Sequence, residues 1–516
     1  MNGEITLEFH FKPEDLQRLR ALPVIKRSTV KRPYTRCLSG VYFDTPGRLL
    51  RKNHITLGIY KSGRRHIQCV TSEETRVGGI VVHDRCENHI LTETPDPSAV
   101  ENNDLRRLVG RLGRNRMKEV FRVEFRRTTY RLDLGDGGEA TFDLDSGEII
   151  AGNVREPLNE AHLTLTAGAP GQLLDLVLEI LSAVQLRVAV AGRTDRGFAM
   201  VEGRGPGWRK NVRLDLSEGA TFEDAMVHTV HHCLKHMLAN ETHVLESEDP
   251  EGVHQMRVAL RRLLSALRLF RSVLPPDRRR HIVGEAKWII DQLAGTRDWD
   301  VFLDEIAAPA IANSDNKDQF SALIERTTAQ RERCRKVSRQ AILSERYTRF
   351  LLLVGTWTAR RAWRDQPAPE ASALLFSPVI NLSDNLINAG HGKVTDKGRR
   401  FNKLTVAERH KLRIQVKKLR YAVDFFSSLY PHDRIQPYAA MLAKLQDSLG
   451  YYNDVAVAET LVSRLVAECG DDKDNALQCQ RAGGIVIGWH THILALSVET
   501  LKKDLGNFIK AKRFWS

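Results

Sequence analysis

The chain has 516 residues, 42% apolar and 28% charged, and its 78 Lys and Arg outnumber 64 Asp and Glu to give a formal net charge of +14 at pH 7. That length exceeds one ordinary hydrophobic core, and the composition excludes a disordered chain. No apolar run reaches the roughly 18 residues of a membrane-spanning helix, while the cation excess predicts a polyanionic partner such as nucleic acid, anionic lipid or a chain of phosphate. The seven cysteines are scattered and never form a Cys-x-x-Cys pair, so they read as reduced thiols. Met1-Asn2-Gly3-Glu4 opens no basic-then-apolar leader, which makes the cytoplasm the default compartment and a membrane partner an unneeded assumption.

From residue 1 to about 203 the pattern is one of short alternating segments, among them Glu4 to Phe11, Ile55 to Tyr60, His66 to Val70 and Ala140 to Leu144. Alternation of that kind predicts antiparallel strands with a few helices between them. Arg204-Gly205-Pro206-Gly207 and Ser217-Glu218-Gly219 then punctuate the chain, and the periodicity becomes that of long amphipathic helices. The expectation is an α+β multidomain protein: a β domain at 1–203, a linker at 204–220 and an all-α domain at 221–516.

Glu4-Ile5-Thr6-Leu7-Glu8, Val41-Tyr42-Phe43-Asp44-Thr45-Pro46, Asp145-Ser146-Gly147-Glu148-Ile149 and Arg193-Thr194-Asp195-Arg196-Gly197-Phe198 resemble segments of the CYTH, or triphosphate tunnel, family. The resemblance implies a closed antiparallel β tunnel or barrel in which glutamates hold Mg²⁺ or Mn²⁺, Arg and Lys grip phosphates, and triphosphate is cleaved or cyclic AMP made. Set against that pattern, the opening Glu-x-Glu-x-Lys stands here as Glu4-x-Thr6-x-Glu8 and the Arg-x-Arg strand as Gly58-x-Tyr60. The lysine after it is Thr71, another acidic position is Thr141, and His162, Thr164 and Thr166 follow Glu160 where acids and a lysine belong. A residual tunnel set remains: Glu4, Arg85, Glu87, Arg127, Asp145, Glu160 and Arg193. Too few carboxylates are left for a two-metal site, so the expectation is a degenerate, non-catalytic tunnel that serves as scaffold or protein-partner surface. The alternative is a metal-dependent inorganic triphosphatase, for which alone Mg²⁺ or Mn²⁺ would be the cofactor.

The helical half contains a repeat. His254 to Asp298 set against His410 to Asp454, with no gap, gives 12 identities in 45 positions, where unrelated sequences give roughly three. His254 pairs with His410, Arg257 with Arg413, Leu263 with Leu419, Phe270 with Phe426, Pro275 with Pro431 and Asp298 with Asp454. The copies are expected at about 221–375 and 376–516 as two helical bundles.

Asp249-Pro250 is a helix-start signal, and the run to Phe270 has no Gly or Pro after Gly252. At 100° per residue His254, Arg257, Arg261 and Arg268 share one stripe, while Met256, Leu260, Leu263, Leu267 and Phe270 share another face. Arg262 points away from the stripe. The second copy repeats it with His410, Arg413 and Lys417, adds Arg420, and puts Asp424 in the fourth place. Cations three and four residues apart repel, so a bound polyanion would offset a standing destabilisation; a solvated face with acidic partners is the plainer reading.

Val253-His254-Gln255-Met256-Arg257-Val258, Arg261-Arg262-Leu263, Leu293-Ala294-Gly295-Thr296-Arg297-Asp298-Trp299-Asp300-Val301 and His410-x-x-Arg413-x-x-x-Lys417-Lys418-Leu419-Arg420-Tyr421 together resemble the CHAD domain. The resemblance implies a basic helical surface that binds inorganic polyphosphate and takes a protein to polyphosphate granules. It assigns phosphate contacts to His254, Arg257, Arg261, Arg262, His410, Arg413, Lys417, Lys418 and Arg420, with Lys287 and Arg297 secondary. Asn453 replaces Arg297 in the second copy. The expected function is therefore polyphosphate binding with no cofactor; nucleic-acid binding is a further alternative, since any phosphate polymer is drawn to a basic groove.

Asp298 and Asp454 read as helix caps or orienting carboxylates rather than catalytic acids. His228, His231, His232 and His236 with Cys233 have helical spacing, but no carboxylate completes a metal site, and packing roles are expected. Phe514 and Trp515 are expected to dock the C-terminal segment onto the bundle.

Overall fold

The computed structural model describes residues 5–515 apart from 64, 101–105, 108, 111–116, 206 and 366–368, and the side chains of 62, 72–76, 82–85, 369–371 and 406 are also outside the description. The chain forms two compact units, Met1–Gly207 with Leu343–Arg360, and Trp208–Ile342 with Arg361–Ser516.

The first unit is built on one antiparallel sheet of nine strands: β1 Thr6–His10, β2 Tyr34–Asp44, β3 Ile55–Ser62, β4 Arg65–Val77, β5 Ile80–Ile90, β6 Lys118–Gly135, β7 Gly138–Ala151, β8 Val154–Ala167 and β9 Arg187–Val188. Their order is β5-β4-β3-β2-β6-β7-β8-β1-β9, and β1 also pairs with β5 through Thr6↔Val81 and Leu7↔Ile80, so the sheet curls until short β1 meets β5. Closure leaves one face of every long strand turned inward, and period-two alternation decides what lines it. On β6 that face carries Phe121, Val123 and Phe125, which join an apolar cluster with Tyr42, Ile149 and Phe198, and then Arg127 and Thr129, which line a cavity.

Gly78 and Gly79, at φ +56° and +92°, make the two-residue turn between β4 and β5, a conformation that suits the strands' twist. A Cβ on Gly78 would stand 2.4 Å from the Leu351 carbonyl, because the turn lies against the helix Glu345–Ala359. The sequence reading placed that helix in the first helical repeat, yet it packs on β5 and β9. Thr348 Oγ1 donates to the Leu186 carbonyl at 2.9 Å and Arg349 Nη2 to the Leu178 carbonyl at 3.0 Å. Its apolar residues, including Phe350, Leu351, Val354 and Trp357, are buried nearly all round, so hydrophobicity alone does not reveal which core receives them. Helices α1 (Pro170–Ala183) and α2 (Arg193–Val201) complete the elements used below.

The second unit is helical: α3 Phe222–Leu238, α4 Glu251–Leu269, α5 Pro276–Gln292, α6 Ala294–Val301, α7 Ser321–Ile342, α8 Val379–Gly398, α9 Val406–Phe426, α10 His432–Ala467 and α11 Lys473–Ile509. Asp249, one residue before the Pro250 N-cap of α4, accepts the Glu251 N–H at 2.9 Å, and Thr405 with Glu408 forms a capping box on α9. The apolar face expected on α4 is buried at 1% exposure or less throughout, and Leu412, Val416, Leu419 and Phe426 do the same on α9. The copies meet at equivalent residues, Phe270 against Phe426 with ring centres 6.4 Å apart. Where the first copy breaks at Leu293 between α5 and α6, the second runs through as the single helix α10. Phe514 and Trp515 are buried against Tyr430, Tyr438 and His391.

Candidate functional site

In the helical unit, α4, α6, α9 and α10 enclose a cavity of about 440 Å³. Its cations come from both copies, Arg261 and Arg297 from the first and Arg413 and Lys417 from the second, and His254 of the first copy lines it beside them. Among the described residues, no carboxylate oxygen lies within the 4 Å ion-pair distance of Arg261, Arg413 or Lys417. Asn453 Oδ1 instead accepts from Arg413 Nη1 at 3.1 Å and lies 3.2 Å from His410 Nδ1. Arg297 is already paired, its Nη2 2.8 Å from Glu305. Asp298 and Asp454 line the same cavity from mid-helix positions rather than capping a helix end.

Burial, and behind it the crowding of like charge, shifts the pKa of the groups in and beside this cavity. Burial, then Arg413 and Arg261, lower the Lys417 pKa to about 7. Burial and Arg297 lower His254 to about 4, so at neutral pH it is an uncharged imidazole. Burial and then Arg261 bring Arg257 to about 10, still charged. Burial raises the Asp298 carboxyl despite Arg257 and Arg261 nearby. Four carboxylates, Asp298, Glu305, Asp447 and Asp454, also line the cavity, but among the described residues only Glu305 stands within ion-pair distance of one of its cations, Arg297.

The remaining expected contacts lie elsewhere. Arg257 is 6% exposed and its Nη1 donates to the Ile290 carbonyl at 3.0 Å. Arg262 is 3% exposed and paired with Asp424 at 2.9 Å, so its charge is matched within the fold. Arg268 and Lys418 border a separate cavity. His410 and Lys287 are exposed and Arg420 half-buried, none of them lining the shared cavity. Sequence reasoning missed Gln446, Asp447 and Tyr451 as lining residues; of these only Asp447, which pairs with Asp291 in the repeat, left a signal.

In the β unit the inward face lines a cavity of about 450 Å³. Thr6, Glu8, Gly58, Tyr60, Thr71, Thr141, His162 and Thr164, eight of the nine positions where the tunnel pattern departs, line it, as do Glu87, Arg127 and Arg193, whereas Thr166 does not. Glu4 and the Arg85 side chain lie outside the described residues. The β6–β8 register sets Arg127 beside Asp145 and Asp145 beside Glu160. Arg127 grips Asp145 with both ends of its fork, Nε at 2.7 Å and Nη2 at 2.6 Å. Arg193 Nη2 donates at 2.7 Å to both Asp145 Oδ2 and Glu160 Oε2, and Arg196, which the sequence reading did not single out, reaches Glu160 Oε1 at 3.2 Å. His162 stands 3.4 Å from Glu8 and 3.3 Å from Glu160. Burial opposes its charge, but Glu160 and Glu8 outweigh burial and raise its pKa to about 9.

Asp145, Glu160 and His162 place one ligand atom each within 4.8 Å of one another, a spacing that a metal ion can use. The donor set does not fit Mg²⁺ or Mn²⁺. The carboxylate oxygens that would bind the ion already accept from Arg193, and the third ligand is an imidazolium at neutral pH rather than an oxygen donor. The histidines of α3 form no metal group among the described residues. His232 meets Asn211 at 2.9 Å, His236 meets Gln255 at 3.0 Å, and burial pushes the Cys233 thiol up to about 12.

Comparison with known proteins divides the chain in the same order, except that the CHAD match includes the helix Glu345–Ala359, which packs with the β unit. Residues 4–192 match the CYTH domain and residues 228–463 match the CHAD domain. The chain is 26% identical over 166 residues to the inorganic triphosphatase of Haemophilus influenzae, a match that spans 32% of this chain and 46%, less than half, of that relative. The crystal structure of the CHAD domain from the plant Ricinus communis aligns at 29% identity and a TM-score of 0.50, covering 60% of this chain and 99% of that one. A putative adenylyl cyclase from Hippeastrum, described as having a dominant triphosphatase activity, aligns at 17% identity and a TM-score of 0.30 over 39% of this chain and 95% of its own. No described helix is long and apolar enough to cross a membrane. A curled antiparallel sheet with tunnel-facing alternation and a duplicated helical unit thus coincide with the two matched segments: the chain carries a CYTH domain followed by a CHAD domain.

Proposed function

We propose that the helical unit binds inorganic polyphosphate in the cavity where its repeats meet, and that the β unit is a tunnel fold without triphosphatase activity. One observation carries the first part: Arg261 from one copy and Arg413 and Lys417 from the other line one cavity with no carboxylate within ion-pair distance among the described residues. Phosphate oxygens supply the missing negative charge, with Arg offering a planar fork and Lys a point charge. Such a protein would collect at polyphosphate granules in the cytoplasm.

The second part rests on Arg193, whose guanidinium holds both buried tunnel acids. Phosphate release from inorganic triphosphate is expected to stay at the background rate with or without Mg²⁺ or Mn²⁺. Metal-dependent release abolished by Glu160→Ala would establish the triphosphatase reading instead, the one that the Haemophilus influenzae relative favours. Nucleic acid is separated from polyphosphate by competition at fixed salt: at equal phosphate concentration, polyphosphate is expected to displace duplex DNA with at least a tenfold preference.

A further inference from the structure

The offset relating the two copies pairs Arg262 with Lys418, Asp424 with Arg268, Tyr421 with Ser265 and Phe425 with Leu269. At the first of these equivalent places the cation has a carboxylate partner and two aromatic neighbours. Arg262 bonds Asp424 at 2.9 Å, and its guanidinium carbon lies 4.8 Å from the Phe425 ring centre and 5.7 Å from that of Tyr421. At the second place the carboxylate has become Arg268, and the two rings have become Ser265 and Leu269. Gly390 adds further room, since a Cβ there would stand 3.0 Å from Leu419 Cδ1.

The result is a cavity of about 310 Å³ that shares no residue with the one between the stripes. Lys418, Arg268, Arg271 and Lys393 border it, and Leu269, Leu386, Leu419 and Phe425 give it an apolar side. No carboxylate lines it, and none of the four cations has an ion-pair partner among the described residues. Burial, then Arg268 and Lys393, lower the Lys418 pKa. The equivalent place in the other copy shows that this fold can neutralise such a cation with one aspartate; here a fourth cation stands in that position.

We infer that this cavity is a second anion site, for a phosphorylated molecule with an apolar body, such as a nucleoside polyphosphate. Four cations match a di- or triphosphate, and the leucine and phenylalanine surface matches a base and sugar face that a bare phosphate chain does not have. The site itself rests on this cavity's own residues, while the tripolyphosphate control in its test rests on the proposed binding in the other cavity, which takes that ligand when Arg268 is changed.

The test titrates the whole chain, in metal-free buffer, with ATP and separately with inorganic tripolyphosphate. Arg268→Asp gives Lys418 the partner that Asp424 gives Arg262. It is expected to weaken ATP binding at least tenfold and to raise the melting temperature, while affinity for tripolyphosphate and for long-chain polyphosphate changes less than threefold. Lys393→Glu, on an exposed residue, is expected to weaken ATP similarly. ATP affinity unchanged in both variants, or lost instead in Arg261→Glu, would overturn the site. Equal loss of ATP and tripolyphosphate in Arg268→Asp would overturn the claim of an apolar body.

Discussion

Lys417 has a pKa of about 7 because burial, Arg413 and Arg261 all oppose its charge. A bound phosphate chain favours the ammonium and raises that pKa, so above pH 7 the complex holds a proton that the free protein has released. Binding therefore takes up a proton, and affinity should fall as pH rises from about 7, by up to roughly tenfold per pH unit from this group. Polyphosphate titrations between pH 6 and 9 check it, and Lys417→Arg should flatten the profile because Arg stays charged. In the β unit, His162 links folding to protons in the same direction. Its pKa is raised to about 9 in the fold, so its contribution to stability is complete below the ordinary pKa of about 6.5 and is lost as pH rises through 9. Thermal melting of the β unit should weaken over that window, and His162→Gln should remove this dependence. At this scale the sequence was legible where a residue's neighbours lie on its own helix or on a recognised strand. It was not where burial decides: Arg257 fits the stripe by spacing, but donates to a backbone carbonyl of α5, a partner that no local pattern shows.

Between elements, the duplicated helices α4 and α9 are alike in core and unlike in charge. Asp424→Ala leaves Arg262 buried without its carboxylate and should cost about 2–3 kcal/mol, below the ~3–5 of a fully buried pair because Asp424 keeps contact with water. Lys418→Ala, at the equivalent place, should leave stability unchanged or increase it, since its neighbours are cations. Chemical denaturation of both variants measures the difference; equal losses would show that the two places are energetically alike. The helix faces and the duplication were legible because 3.6-residue periodicity and repeated identities are properties of the chain itself. So were the inward positions of the tunnel, where Thr6, Gly58, Tyr60, Thr71, Thr141 and Thr164 all line the cavity as the alternation requires. That the helix Glu345–Ala359, which the CHAD match includes, packs with the β unit was not legible, because an apolar helix in a helical region carries no mark of the sheet that receives it.

For the molecule as a whole, the excess of Lys and Arg predicts long-range attraction to any polyanion, and the two cavities proposed as anion sites both lie in the helical unit. The tunnel cavity does not add to this attraction in proportion to its arginines, because Arg127 and Arg193 are held by Asp145 and Glu160. The most direct measurement is a titration of the full chain with long-chain polyphosphate over a salt series, comparing the native protein with Arg261→Glu combined with Lys417→Glu. The account predicts a steep salt dependence for the native chain, at least a hundredfold loss of affinity in the variant, and a log–log salt slope shallower by about two. A variant that folds, and binds polyphosphate within threefold of the native chain with the same slope, would contradict it.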